Sequence, residues 1–388
     1  MQIRALRSFF SWIGLAVCSV VAAAILLEVG SRVLLSARRR VHRSTVAEFA
    51  SDNPAYSRYD WAKECFEEQT RKLKTRNIYF PFRLWGVTEF HGKCINNDIS
   101  DLGAVRRTVE VGGPFCANQH KKAIWVFGGS TVYGTGIPDW ATLPSYLSRE
   151  LNKRIGCVDV VNLGVEGYAS NQEILFLIEE LKAGNRPEIV IFYDGFNDAD
   201  YGTMPPGNPT AHMGFQGIKG RIEGRFANRF DFLRGLASWQ LAQELAQSKT
   251  GKGVPKFPNA ALPSHAVSTL DNYEQNLRIA KVLGKAFGFK VCAFWQPAII
   301  YGHKSLVPYE KQLLDLSTGN AYPFHSLASV YDEADRRAAK TGYFVFLGNV
   351  FDGVSAPLYL DWGHLTPEGN ELAADAIALR LNECLAKQ

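Results

Sequence analysis

Five short apolar runs punctuate the chain after residue 122: 123–127 (AIWVF), 158–161 (VDVV), 189–193 (IVIFY), 291–295 (VCAFW) and 343–347 (YFVFL). They are rich in β-branched and aromatic residues, and apart from Asp159 they are uninterrupted, which is the pattern of strands buried on both faces. Between them apolar residues recur at helical spacing, at Leu143, Tyr146, Leu147 and Leu151, then at Ile174, Leu177, Ile178 and Leu181. Ser170 is placed to cap the second helix and Gly184 to stop it. A last helix is expected after Thr366, with Pro367 at its first position and Glu368 favourable to its dipole. Strand–helix alternation predicts an α/β fold in three layers, αβα, with a central parallel sheet.

Two stretches escape this pattern. Residues 44–121 are mixed and aromatic-rich, without sustained periodicity, and read as an extension packed on the domain that follows. Within it the strip Tyr79-Phe80-Pro81-Phe82-Arg83-Leu84-Trp85 is expected to pack rather than to stand exposed as a binding surface. Residues 199–265 are rich in Gly, Pro and polar residues, with helical character only at 230–245. This irregular insertion follows the third strand directly and is expected to lie over whatever that strand presents. The organisation is then 1–43, 44–121, and 122–388 with its insertion.

The N-terminal stretch changes the picture. Residues 9–27 (FFSWIGLAVCSVVAAAILL) carry no charge and are long enough to cross a bilayer. We read them as a transmembrane anchor. A cleaved signal peptide is the competing reading, since Arg4 and Arg7 precede the run and Ala22-Ala23-Ala24 offers small residues, but the run continues through Ile25, Leu26 and Leu27. The formal charge of +5 is concentrated here: residues 1–43 hold seven Arg against Glu28, and the remainder holds 36 basic and 37 acidic side chains. A body without basic excess does not fit a nucleic-acid binder. The Arg residues following the span favour a cytoplasmic body. Six cysteines beyond the span (Cys65, Cys94, Cys116, Cys157, Cys292 and Cys384) favour an oxidising compartment and leave fifteen pairings open.

Candidate chemistry lies at the strand ends. The first strand runs into Gly128-Gly129-Ser130-Thr131-Val132-Tyr133-Gly134. Thr135 stands where a phosphate-binding loop needs Lys, no G-x-G-x-x-G is present, and Val132 replaces the last Gly of a G-x-S-x-G elbow. A serine held between small residues remains. It needs a base and an orienting group, and Asp361-Trp362-Gly363-His364 supplies both on one loop. Asn162-Leu163-Gly164-Val165-Glu166-Gly167-Tyr168 follows the second strand and Gly195-Phe196-Asn197-Asp198 the third. A Gly N–H and an Asn amide are suitable donors to an oxyanion. All of these converge on the edge where open α/β sheets place ligands. His212, His303 and His325 lack partners at metal spacing, and Asp194, Asp198 and Asp200 lack the Glu that closes a calcium loop. Trp295-Gln296-Pro297 is equally compatible with lining the cleft and with packing.

Ser130, Gly167, Asn197 and His364, in that order, resemble the four blocks of the SGNH (GDSL-type) hydrolase superfamily. The first block departs from its usual G-D-S by reading Gly128-Gly129-Ser130. The resemblance covers roughly residues 122–386. It implies a flavodoxin-like αβα fold, Ser130 as nucleophile, His364 as base and then acid, and Asp361 as its orienter. It also implies an oxyanion hole from the Ser130 and Gly167 N–H groups and the Asn197 side chain. No metal or cofactor is implied. The expected activity is hydrolysis of a small-molecule or polysaccharide acyl ester through an acyl-Ser130 intermediate, with the domain anchored outside the cytoplasm as in bacterial extracytoplasmic members. O-acyl transfer to a cell-envelope polysaccharide, or a non-catalytic tethered carbohydrate-binding module, are the alternatives.

Overall fold

The run around residue 125 lies inside the sheet, one of several strands buried on both faces. In the computed structural model, strand β6 (Lys122–Gly128) is buried from Ile124 through Gly128 and pairs in parallel with β7 (Val158–Gly164) on one side and β8 (Ile189–Asp194) on the other. Beyond β8 lie β9 (Lys290–Trp295) and the two-residue β10 (Val345–Phe346), both parallel. The parallel order β10-β9-β8-β6-β7 puts the first of these strands inside the sheet, the arrangement of a flavodoxin-like doubly wound fold. The description covers residues 12, 14–36, 53–72, 78–109, 116, 120–203, 207–223, 236–238, 241–242, 262–318 and 324–386.

Helices cover both faces. Leu143–Ile155 and Pro367–Ala386 pack against each other on one face, over a core containing Ile124, Val126, Leu147, Leu151, Ile191 and Ile377. Ser170–Ala183, Leu262–Phe287 and Phe324–Thr341 cover the other, over Trp125, Phe127, Phe192, Leu277 and Trp295. Gly184 ends its helix in the left-handed conformation, at φ 100°. Ser170 does not cap: Ala169 holds that position, and the Ser170 hydroxyl bonds the Asp198 carboxylate instead. Thr366 caps the last helix, its Oγ1 accepting from the Gly369 N–H at 3.2 Å.

The segment before Lys122 continues the same sheet. Strands β3 (Phe90–His91), β4 (Asn96–Ser100) and β5 (Gly103–Arg106) add in antiparallel fashion, with β5 joined to β7 through Arg106 and Asn162. The aromatic strip forms a separate hairpin, β1 (Ile78–Phe80) with β2 (Leu84–Gly86). Its side chains divide: Arg83 is buried, Trp85 half-buried, and Tyr79 and Phe82 stand exposed at 71% and 83%. Expected packing therefore holds for only part of the strip. Three disulfides, Cys65–Cys94, Cys116–Cys157 and Cys292–Cys384, use all six cysteines beyond the apolar helix.

The chain divides into two units, residues 50–213 with 254–388, and residues 1–49 with 214–253. The second contains the helix Gly14–Ser36, 23 residues long and apolar enough to cross a membrane, a property it shares with signal sequences. Within that unit the Glu28 carboxylate accepts the N–H groups of Ala237 and Ser238. The insertion is less irregular than its composition predicts: its first residues complete the helix Phe196–Thr203, and Phe215–Ile222 is helical. Of the helical stretch expected at 230–245, residues 237–238 and 241–242 are helical and all but 236 of the others lie outside the described residues.

Candidate active site

Register explains why the motifs meet. Gly128 of β6 is level with Gly164 of β7 and Tyr193 of β8, and Asp194 is level with Trp295 of β9. Ser130, Gly167, Asn197 and Gln296 therefore all emerge from one edge of the sheet within a few residues of the strand ends. Gly128 has no room for a side chain there, since a Cβ would lie 2.6 Å from the Tyr193 carbonyl oxygen.

The Asp361 loop reaches that edge from the sequence before the last helix. Ser130 Oγ lies 2.7 Å from His364 Nε2, and His364 Nδ1 lies 2.7 Å from Asp361 Oδ2. The other Asp361 oxygen accepts the N–H groups of Gly363, at 3.0 Å, and His364, at 2.8 Å. The loop is pinned from below: the buried Glu310 carboxylate accepts the N–H groups of Leu358 and Tyr359, and the Leu360 carbonyl accepts from Asn53 Nδ2 and the Tyr309 hydroxyl. Partial desolvation disfavours the Asp361 carboxylate, but the adjacent imidazole and the two N–H donors outweigh it and hold its pKa below the usual range. Burial likewise pulls His364 down, and the charges of Asp361 and then Glu166 overcome it, so its pKa is raised above 6.5.

The candidate hydrogen-bond donors lie on the segments that follow β6, β7 and β8. Ser130 opens the short helix Ser130–Tyr133, so its N–H has no acceptor within that helix. Gly167 sits at φ 78°, a left-handed conformation that a side chain resists, and a Cβ there would meet Met213 at 3.0 Å and Trp85 at 3.4 Å. Asn197, in the first turn of its helix, donates from Nδ2 to the Tyr168 carbonyl at 2.7 Å. The same Nδ2 occupies the space that a Cβ on Gly129 would need, only 2.4 Å away. The departure from G-D-S thus coincides with an Asn amide pressed against the backbone just before the serine.

Other residues singled out in the sequence lie elsewhere. Asp194 and Asp198 are buried behind the site with Glu173; Asp198 accepts from Ser170, and the Tyr273 hydroxyl lies 3.4 Å from Asp194. Burial pushes Asp194 up to about 8 and Asp198 and Asp200 to about 6, and raises Glu173 as well. Trp295 packs against Gly195, whereas Gln296 accepts from the hydroxyl of Thr131, next to Ser130, at 3.1 Å. His212 stacks edge-on against Trp85, His303 is exposed beside Asp352, and the His325 side chain lies outside the described residues. Sequence reasoning gave no role to Glu166, Thr135, Gln69 or Lys72, which form one cluster beside Gly167. Only the position of Glu166 next to Gly167 could have drawn attention to it.

No protein-family model matches the chain, and no curated protein does. Solved structures similar to it include a G-D-S-L family lipolytic protein from Desulfitobacterium hafniense, 12% identical, covering 67% of this chain and 99% of that one at a TM-score of 0.35. The acetylxylan esterase Axe2 of Geobacillus stearothermophilus is 16% identical, covering 68% and 94%, at 0.34. A carbohydrate acetylesterase family member from Sinorhizobium meliloti is 14% identical, covering 68% and 99%, at 0.34. At such identity the case for activity rests on the site itself.

Proposed function

We propose that the chain is a serine ester hydrolase that works through an acyl-Ser130 intermediate, removing acyl groups such as acetyl from a carbohydrate or lipid ester. The observation that carries this reading is the pair of 2.7 Å contacts linking Ser130 Oγ, His364 and Asp361 in line. A serine hydroxyl is a weak nucleophile until a base removes its proton, and a base works only if its ring is held in the right tautomer. Asp361 accepts from Nδ1, which leaves Nε2 to accept from Ser130.

Chemistry follows from that arrangement. Oγ attacks the ester carbonyl carbon while its proton passes to His364 Nε2. The carbonyl oxygen becomes an oxyanion, which in this reading accepts from the Ser130 and Gly167 N–H groups and the Asn197 amide. The tetrahedral centre collapses, the bond to the alcohol oxygen breaks, and His364 returns its proton to the departing alkoxide. Water then attacks the acyl-serine with His364 again as base, releasing the acid and restoring Ser130. Asp361 stabilises the imidazolium in both halves without itself taking the proton.

Three disulfides support an oxidising, extracytoplasmic compartment for the domain in this reading, with the helix Gly14–Ser36 as its membrane anchor. The test is labelling of the full chain with a fluorophosphonate beside Ser130→Ala. Labelling confined to the wild type is expected; equal labelling of both, or none of a folded wild type, refutes an activated Ser130.

A further inference from the structure

The two backbone donors of the oxyanion site belong to different segments, Ser130 to the turn after β6 and Gly167 to the loop after β7. Acyl transfer is sensitive to misplacement of about 1 Å, so something must fix one segment against the other. Part of the answer is Gly164: a Cβ there would lie 2.2 Å from the Tyr133 backbone nitrogen, so the strand end touches the serine's helix directly. That contact stops three residues short of Gly167.

The remaining gap is bridged by Glu166, whose carboxylate accepts from three side chains. Thr135, just past the serine's helix, donates to Oε1 at 2.8 Å. Gln69 donates to the same oxygen at 2.6 Å, and Lys72 Nζ bonds Oε2. Lys72 also lies 3.7 Å from the centroid of the Tyr133 ring, so a single ammonium touches both the serine's helix and the glycine loop. Trp85 Nε1 donates to the Glu166 carbonyl at 2.9 Å and fixes the backbone immediately before Gly167. Gln69 and Lys72 come from the last turn of the helix Ala62–Lys72, which lies well outside the parallel sheet in sequence. That helix is itself immobilised by the Cys65–Cys94 disulfide and by Glu68, which accepts the N–H groups of Lys93, Cys94 and Ile95.

Lys72 is buried, with 5% of its side chain exposed, and Glu166 nearly so at 20%. A buried ion pair contributes little net stability, because desolvation offsets attraction, and the best-attested reason for such a pair is to fix register. We propose that Lys72 is a positioning residue of the acyl-transfer site: through Glu166 it holds the Gly167 N–H in register with the Ser130 N–H, which makes the helix Ala62–Lys72 part of the active-site machinery. This inference rests on the serine-hydrolase reading. The charge of Glu166, after that of Asp361, helps to raise the His364 pKa, so the bridge also bears on the base.

The experiment compares the full chain in detergent with Lys72→Met, Glu166→Gln and the double variant. Fluorophosphonate labelling rates and p-nitrophenyl acetate kinetics are read across pH, with thermal melting as a control for folding. Lys72→Met is expected to lower kcat and the labelling rate at least about tenfold with KM within about twofold, since orientation rather than binding is lost. Adding Glu166→Gln should recover most of that loss, because it removes the carboxylate left without its counter-charge. Glu166→Gln alone, which preserves shape, should move the acidic limb of the profile to lower pH by removing a charge that raises the His364 pKa. The inference is overturned if the wild type labels and Lys72→Met labels at the same rate. It is also overturned if the double variant shows the two losses simply added. If Lys72→Met does not fold, Glu166→Gln decides alone, and an unmoved limb with wild-type kcat overturns the proposal. A folded wild type that fails to label refutes the hydrolase reading itself, a result distinct from the others.

Discussion

Replacing Asp361 by Asn tests whether the site is a triad or a Ser130–His364 pair with an incidental neighbour. Asp361 presents two acceptor oxygens to three donors: Oδ1 to the N–H groups of Gly363 and His364, Oδ2 to His364 Nδ1. Asn has one acceptor and one NH₂ group. Keeping the two backbone bonds puts the NH₂ against Nδ1. That arrangement favours the tautomer with its proton on Nε2, which donates to Ser130 and cannot accept from it. In a buried triad the same exchange costs about 10⁴ in kcat. The Asp361 side chain is 42% exposed, so water can partly stand in for the lost oxygen, and we expect about 10²–10³, or roughly 3–4 kcal/mol. Losing the carboxylate also removes the charge that raises the His364 pKa, so the acidic limb should move down. Labelling rate and p-nitrophenyl acetate hydrolysis as functions of pH report both effects. A variant within about threefold of wild type at every pH would refute the tautomer argument and reduce the machinery to a dyad.

Further outcomes are expected on the same footing. Asn197→Ala should lower kcat by about 10²–10³ with little change in KM, and equal kinetics would remove Asn197 from the oxyanion site. Gly164→Ala forces a Cβ to 2.2 Å from the Tyr133 nitrogen and 2.8 Å from its Cα, so it should cost about 1–3 kcal/mol in thermal stability and abolish labelling; a wild-type melt with wild-type labelling contradicts the close approach. Burial raises Asp194 to about 8 and Asp198 and Asp200 to about 6, so the folded chain binds more protons than the unfolded one above the ordinary value of 3.8. Stability from these groups must then fall as pH rises from about 5 to 8, and His364, raised above 6.5, acts in the same direction. Melting temperature should accordingly be higher near pH 5.5 than near pH 8.5, and Asp194→Asn should gain more at the higher pH. An offset identical at both pH values would show that Asp194 is not held protonated.

What the sequence disclosed and what it hid differ by the range of the interaction. Gly128, Ser130, Gly167, Asn197 and His364 were legible because each follows a strand or precedes a helix whose apolar pattern is strong, and parallel register brings such positions to one edge without further information. The strands preceding Lys122 were illegible because they are short and polar: β4 reads NNDIS and β5 GAVR, with neither alternation nor a continuous apolar run. They pair because β7 leaves an edge open, a fact about the sheet and not about their own composition. Ser170 carries a good capping side chain, yet its hydroxyl finds a buried carboxylate, and no local rule anticipates that competition. Lys72 and Glu166 are 94 residues apart, and nothing in either neighbourhood announces the other.

Arg106 shows how deeply the early strands enter the site. Its guanidinium is buried where β5 meets β7, bonds Asp139 at 2.7 Å and the Ile137 carbonyl at 2.9 Å, and lies 5.0 Å from the Tyr133 ring centroid. Tyr133 therefore receives Arg106 from β5 and Lys72 from the helix Ala62–Lys72, while its hydroxyl donates to Asn97 of β4 at 3.0 Å. Three elements that precede the parallel sheet converge on the ring that ends the helix opened by Ser130. A serine at a strand end is supported in this chain from both directions, by the parallel strands whose register delivers it and by an earlier segment that fixes what the register leaves free.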